Sequence, residues 1–264
     1  MKLIQVLCVV LTELSVGSLL MVSLLPPREI RTSFFTFNSL VCALAAAIAL
    51  MLSKGLLQSA WWDVRFLGFT VVGATAAYGA FRLEKPGLGR LLLLISGLAG
   101  FAFGVLPLAG QTLAAHGLET TAPLFFDAGV LSATLLLGAT NVAMILGHWY
   151  LLMRRLSFEH LLLFSQIVLG AIGLRIAVVC AVLSSLAKFD PDLANTLIPS
   201  LWSVHENLFF FLMRLLWGLI LPVVLGIMVL RCAQAKANQA ATGMLYVMVV
   251  SVLFGELFAA YLLI

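Results

Sequence analysis

An all-α integral membrane bundle of about eight transmembrane helices, organised as one domain over residues 1–264, is the architecture this sequence predicts. Three observations predict it. Hydrophobic residues fill 63% of the chain and charged residues only 10%, a balance that precipitates in water but suits a chain solvated by lipid. Apolar stretches of about twenty residues, long enough to cross a hydrocarbon core as helices, recur from end to end. Between them stand turn formers and charges, as at Pro26 and Pro27, at Pro86, Gly87 and Gly89, and at Asp190, Pro191 and Asp192.

The eight spans fall at 3–25, 34–53, 64–83, 91–115, 124–153, 158–187, 201–230 and 242–263. The first has membrane length and carries Glu13, so it reads as a retained helix rather than a cleaved signal peptide. In the fifth, Asp127, Thr134, Asn141 and His148 recur every seven residues and form one polar stripe drifting only about 20° per heptad. That stripe predicts either one wall of a proton path, with His148 titrating at its end, or a set of interhelical hydrogen bonds. The sixth span carries Arg175 and the last carries Glu256.

The seventh span holds His205, Glu206, Asn207 and Arg214 where a plain anchor would hold leucine. Insertion of an Arg near a helix centre costs roughly 2.5 to 3.5 kcal/mol, so such a group faces the bundle interior and marks a functional path. Seven residues separate Asn207 from Arg214, which puts both on one stripe with Trp217 close by and His205 opposite. Pro222 has no amide hydrogen and clashes with the carbonyl of Gly218, so a kink and a freed carbonyl are expected there. Small residues at Gly100 and Gly104, Gly173 and Ala177, and Ser251 and Gly255 predict close helix crossings. No internal repeat or low-complexity tract is legible.

The basic excess, 15 Lys and Arg against 11 Asp and Glu, reports topology here and does not point to nucleic acid. One set of alternate loops holds Arg28, Arg31, Arg82, Lys85, Arg90, Arg154, Arg155, Arg231 and Lys236, and the other holds Lys2, Lys54, Arg65 and Lys188. The positive-inside rule then leaves both termini outside, as in a bacterial inner membrane protein. The four cysteines, Cys8, Cys42, Cys180 and Cys232, stand singly in or beside apolar runs and read as buried, inert thiols. No metal site is expected.

On this topology Glu13, Arg175, Arg214, Glu256, His205 and Glu206 lie from mid-membrane towards the outer face and are expected to meet in one cavity. A quinone headgroup needs donors to its carbonyl oxygens and a nearby group that exchanges protons as electrons move. His205, Arg214 and Arg175 are the candidate donors, and Glu206, Glu256 and Glu13 the candidate proton relays. Three other readings stand beside it, the first being a purely structural anchor in which Arg and Glu bridges only lock the helices together. A b-type haem needs axial ligands, for which His148 and His160 on consecutive helices are candidates. A proton- or ion-coupled transporter also uses intramembrane acids, arginines and a kinked helix, and commonly shows repeat symmetry.

Eight spans in this length, Glu13 within Thr12, Glu13, Leu14, Ser15, Val16, Gly17, and Gly255, Glu256, Leu257, Phe258 in the last span resemble the membrane-anchor subunits of polysulfide and DMSO reductases. This chain continues with Ala259, Ala260 and Tyr261, where the family pattern runs on to an arginine. The resemblance implies a haem-free, quinone-reactive subunit of a respiratory electron-transfer complex. It also implies redox partner subunits with iron-sulfur clusters or haems docked on the outer side.

Overall fold

The computed structural model describes residues 2–54, 61–106, 123–152, 159–189 and 205–263. Among them the regular elements are all helical: α1 (Lys2–Ser23), α2 (Thr32–Lys54), α3 (Trp61–Arg82), α4 (Pro86–Gly100) running into a π turn (Phe101–Val105), α5 (Pro123–Leu152), α6 (Glu159–Phe189), α7 (His205–Leu215), a second π turn (Leu216–Ile220), α8 (Leu221–Gln234) and α9 (Asn238–Leu263). The segment from α7 through the π turn to α8 is one continuous rod, so eight rods correspond to the eight expected spans. Seven are long and apolar enough to cross a membrane; α3, also 22 residues long, completes the set. The chain is an integral membrane protein.

The element starts follow local chemistry. Pro86, expected inside a turn, instead opens α4 at a position where its missing amide costs nothing. The turn itself lies just before it, with Glu84 in the left-handed region (φ 55°). Lys236 repeats this device between α8 and α9 (φ 56°), without the glycine that would have signalled it.

Each run of four rods closes into a ring. In the first, α1 packs on α2 and α4, and α3 packs on the same two. In the second, α5 packs on α6 and α9, and α8 packs on the same two. The rings join mainly through α1, which lies against α5 and also touches α9. A two-ring layout thus repeats in space without a repeat legible in the sequence. An aromatic group ties α2, α3 and α5 together at one end: Phe35 stacks on Phe81 with ring centres 5.0 Å apart, and Phe34 meets Trp149 edge to face at 5.8 Å.

Two glycine pairs set the closest crossings. At the ring junction, the backbones of Gly17 in α1 and Gly138 in α5 are in contact, and a β-carbon at either would strike backbone of the other helix. In the second ring, Gly218 in the π turn meets Gly255 in α9; a β-carbon built on Gly218 would lie 3.3 Å from the Gly255 Cα. Ser251 and Gly255 therefore pack as expected; of the pair Gly100 and Gly104, Gly100 packs against Val16 and Thr70, while a β-carbon on Gly104 would meet nothing within 4 Å. Gly173 and Ala177 do not: both are exposed on α6, because the face that α6 turns inward is the one bearing Ile172 and Arg175. Of the cysteines, Cys8 and Cys42 are buried but Cys180 is exposed, which corrects the expectation of four buried thiols.

The proline break takes a specific form. In the π turn the amide of Leu221 reaches back five residues to the carbonyl of Leu216. The next carbonyl in that register, Trp217, would pair with the amide that Pro222 lacks. Ser251 of α9 donates its hydroxyl to that Trp217 carbonyl at 2.7 Å. The freed carbonyl expected from the sequence exists, moved one residue towards the N-terminus by the π turn and satisfied by a neighbouring helix.

Candidate functional site

Four ionisable side chains from four helices converge in the interior of the bundle. Arg175 of α6, Glu256 of α9 and Glu13 of α1 are 7%, 5% and 5% exposed, and Arg214 of α7 is partly buried. The Arg175 guanidinium organises the group. Its Nη2 donates to Glu256 Oε2 at 2.7 Å, and its Nη1 donates to the Gly129 carbonyl at 2.6 Å and to Ser132 Oγ at 3.0 Å. Ser132 passes its own proton to the same Gly129 carbonyl at 2.7 Å, so its oxygen is left to accept from the arginine. One guanidinium thereby holds α5, α6 and α9 together.

Glu13 and Arg214 flank this pair differently. Each is within electrostatic reach of both Arg175 and Glu256. Among the described residues neither makes a side-chain hydrogen bond. Among the described residues the site therefore contains one satisfied ion pair, with one buried acid and one base that have no hydrogen-bond partner there. With all four ionised its formal charge is zero. In a low-dielectric interior that neutrality is what makes the burial of four charges tolerable, while any charge placed between Glu13 and Arg214 is felt strongly.

Local structure explains the convergence. Arg214 stands one helical turn before Gly218, on the same face, and Glu256 follows Gly255 directly. The Gly218–Gly255 contact thus brings the α7 rod onto α9 where the two charges lie. Trp217 packs beside Phe254 with ring centres 5.6 Å apart, closing the same crossing. On α1, Gly17 lies one turn beyond Glu13, so the tight α1–α5 junction turns the carboxyl inward.

The expected cluster is therefore real for Glu13, Arg175, Arg214 and Glu256. His205 and Glu206 lie in the first turn of α7, and their side chains, with that of Asn207, lie outside the described residues. The same holds for the side chains of Lys2, Lys54, Arg65 and Lys188 and for residues Arg154, Arg155, Asp190, Pro191 and Asp192. The helix-five stripe divides. Asp127 and His148 are exposed, while Thr134 bonds the Val130 carbonyl of its own helix at 2.9 Å and Asn141 Nδ2 donates to Ser18 Oγ of α1 at 2.9 Å. Its middle faces α1. Of the haem-ligand candidates, His148 Nδ1 shares a 2.9 Å hydrogen bond with the Tyr246 hydroxyl. His160 Nε2 lies 2.8 Å from Glu29 Oε2, an ion-pair distance without hydrogen-bond alignment.

Sequence reasoning missed Ser132 and Gly129, which hold Arg175, because both fall between the stripe positions Asp127 and Thr134. It also missed Gly17 with Gly138, although Thr134 and Gly138 form a small-residue pair at the spacing that signals such contacts. Among the described residues, no three His, Cys, Asp or Glu side chains are grouped to hold a metal ion. No protein-family model, curated protein or solved structure matches the chain.

Proposed function

We propose that the chain is a quinone-interacting membrane subunit of an electron-transfer complex, with the headgroup bound between Glu13 and Arg214. The single observation that carries this reading is the buried Glu13 carboxyl, without a hydrogen-bond partner among the described residues, set within electrostatic reach of the paired Arg175 and Glu256. Quinone reduction adds two electrons and two protons at carbonyl oxygens, so a site needs a cation to polarise one oxygen and an acid to exchange protons. Arg214 supplies the first and Glu13 the second. Arg175 and Glu256 act as positioning residues that hold the local charge neutral.

This reading places the site in the half of the bundle away from Arg28, Arg31, Arg82, Lys85, Arg90, Arg231 and Lys236. With the positive-inside rule that half is the outer one, both termini face outside, and the membrane is of the bacterial inner type. Partner subunits bearing iron-sulfur clusters or haems then dock on the outer face. Binding of a fluorescent quinol-site inhibitor, a hydroxyquinoline N-oxide, to the purified full chain tests the proposal. Glu13→Gln and Arg214→Gln are expected to weaken it tenfold or more. Unchanged binding in both variants, with the protein monodisperse, sinks the proposal.

A second reading, a proton-coupled transporter, is favoured by one observation: the two four-helix rings repeat a layout, as transporter halves do. Proton-driven solute flux in vesicles containing this chain alone, abolished by Glu13→Gln, would put it first. A reduced-minus-oxidised absorption spectrum of the purified chain separates both from a b-type haem subunit.

A further inference from the structure

We infer that the groove between the end of α1 and the start of α4 is a binding site for one anionic phospholipid, its phosphate held by Arg90. The groove has a volume of about 330 Å³ and is lined by Ser23, Leu24, Gly87, Arg90, Leu91 and Leu94. Three of these are leucines facing outward, Leu24 and Leu91 each 52% and Leu94 39% exposed. Nothing within 4 Å meets a β-carbon built on Gly87, so the groove is open at its upper edge.

Arg90 is fixed in place at this groove. Its Nε donates to the Ser23 carbonyl at 2.7 Å, one of the last carbonyls of α1, which no amide of its own helix can reach. With Nε engaged, the two terminal nitrogens of this exposed residue have no partner among the described residues. A guanidinium held by one edge offers its other donors as a fork that matches two phosphate oxygens.

Depth along the helices separates headgroup from tail. By length and composition the α1 span ends at Ser23 and the α4 span begins at Pro86, which sets the expected membrane boundary. Arg90 lies about 6 Å inside it along α4, at headgroup level, and Leu94 about 6 Å deeper, at acyl level. Arg28, Arg31, Arg82 and Lys85 stand exposed at the same end, against exposed Glu29 and Glu84. The field at this rim is positive, which selects an anionic over a zwitterionic lipid.

Native mass spectrometry of the full chain in detergent, with phosphatidylglycerol and phosphatidylcholine of identical acyl chains added in equal amounts, reads retention directly. The wild type is expected to retain phosphatidylglycerol preferentially. Arg90→Gln should lower that retention about fivefold, Arg90→Lys, which keeps the charge but not the fork, should keep only part of it, and Arg82→Gln should leave it nearly unchanged. Leu91→Trp, which fills the groove with Arg90 intact, should lower it as well and gives the reading if Arg90→Gln does not fold. Equal retention of the two lipids overturns the inference, as does equal loss in Arg82→Gln and Arg90→Gln. Displacement of the lipid by millimolar inorganic phosphate, with Leu91→Trp indifferent, would show a bare anion site and overturn it too.

Discussion

Ser251 donates its hydroxyl to the Trp217 carbonyl at 2.7 Å, across the crossing where Gly218 meets Gly255. This bond is the counterpart of Pro222. The proline withdraws one amide from the helix, the π turn assigns the loss to Trp217, and α9 repairs it.

Ser251→Ala should therefore destabilise the bundle by about 1 kcal/mol, the cost of a buried carbonyl left without a donor. In a Pro222→Ala background, where residue 222 again carries an amide, the same change should cost much less. A double-mutant cycle on thermal unfolding in detergent measures the difference. An equal cost in both backgrounds would mean that the serine serves some other contact.

For the Arg175–Glu256 pair the charge count sets the sign. Arg175→Leu leaves two acids facing one base, and Glu256→Leu leaves two bases facing one acid, so each single change should cost about 3 to 5 kcal/mol. The double change leaves Glu13 with Arg214 and restores neutrality, so it should be less damaging than either single one. Unfolding midpoints of the three variants decide this, and a double variant worse than both singles contradicts the neutrality argument.

At the ring junction, Gly17→Ala places a methyl group against the Thr134 carbonyl, which has no rotamer with which to move away. A loss of more than 2 kcal/mol is expected, or separation of the two rings. Gly173→Ala, on an exposed face with nothing within 4 Å, should be neutral or slightly stabilising. Thermal stability of the two variants side by side checks this.

Asn141 separates the structural use of the helix-five stripe from a conducting one. Its bond to Ser18 predicts that Asn141→Val costs about 1 kcal/mol of stability and, under the proposed quinone-site function, leaves quinol-driven electron transfer with the proposed redox partners unchanged. A several-fold slower transfer with normal assembly would restore the stripe as a proton path.

Much of the architecture was legible in the residues themselves. Apolar runs of membrane length can only be helices in lipid, because every backbone amide and carbonyl must be satisfied within the segment. Charges at Glu13, Arg175, Arg214 and Glu256 stood out because lipid makes them expensive, and expense implies company. The start of α4 at Pro86 was misread because proline both breaks a helix and begins one.

By itself, then, the sequence determined the membrane setting, the helical class, the approximate spans and the gathering of Glu13, Arg175, Arg214 and Glu256 in the interior. All of these follow from transfer free energies and periodicity, which act along a single chain. Only the tertiary structure decided that Arg175 pairs with Glu256, while Glu13 and Arg214 have no hydrogen-bond partner among the described residues. It also decided that Gly17 and Gly138, rather than Gly173 and Ala177, form a tight crossing, and that the Pro222 deficit falls on Trp217. Pairing and crossing depend on which faces of distant helices meet, and that is settled by packing all eight rods at once.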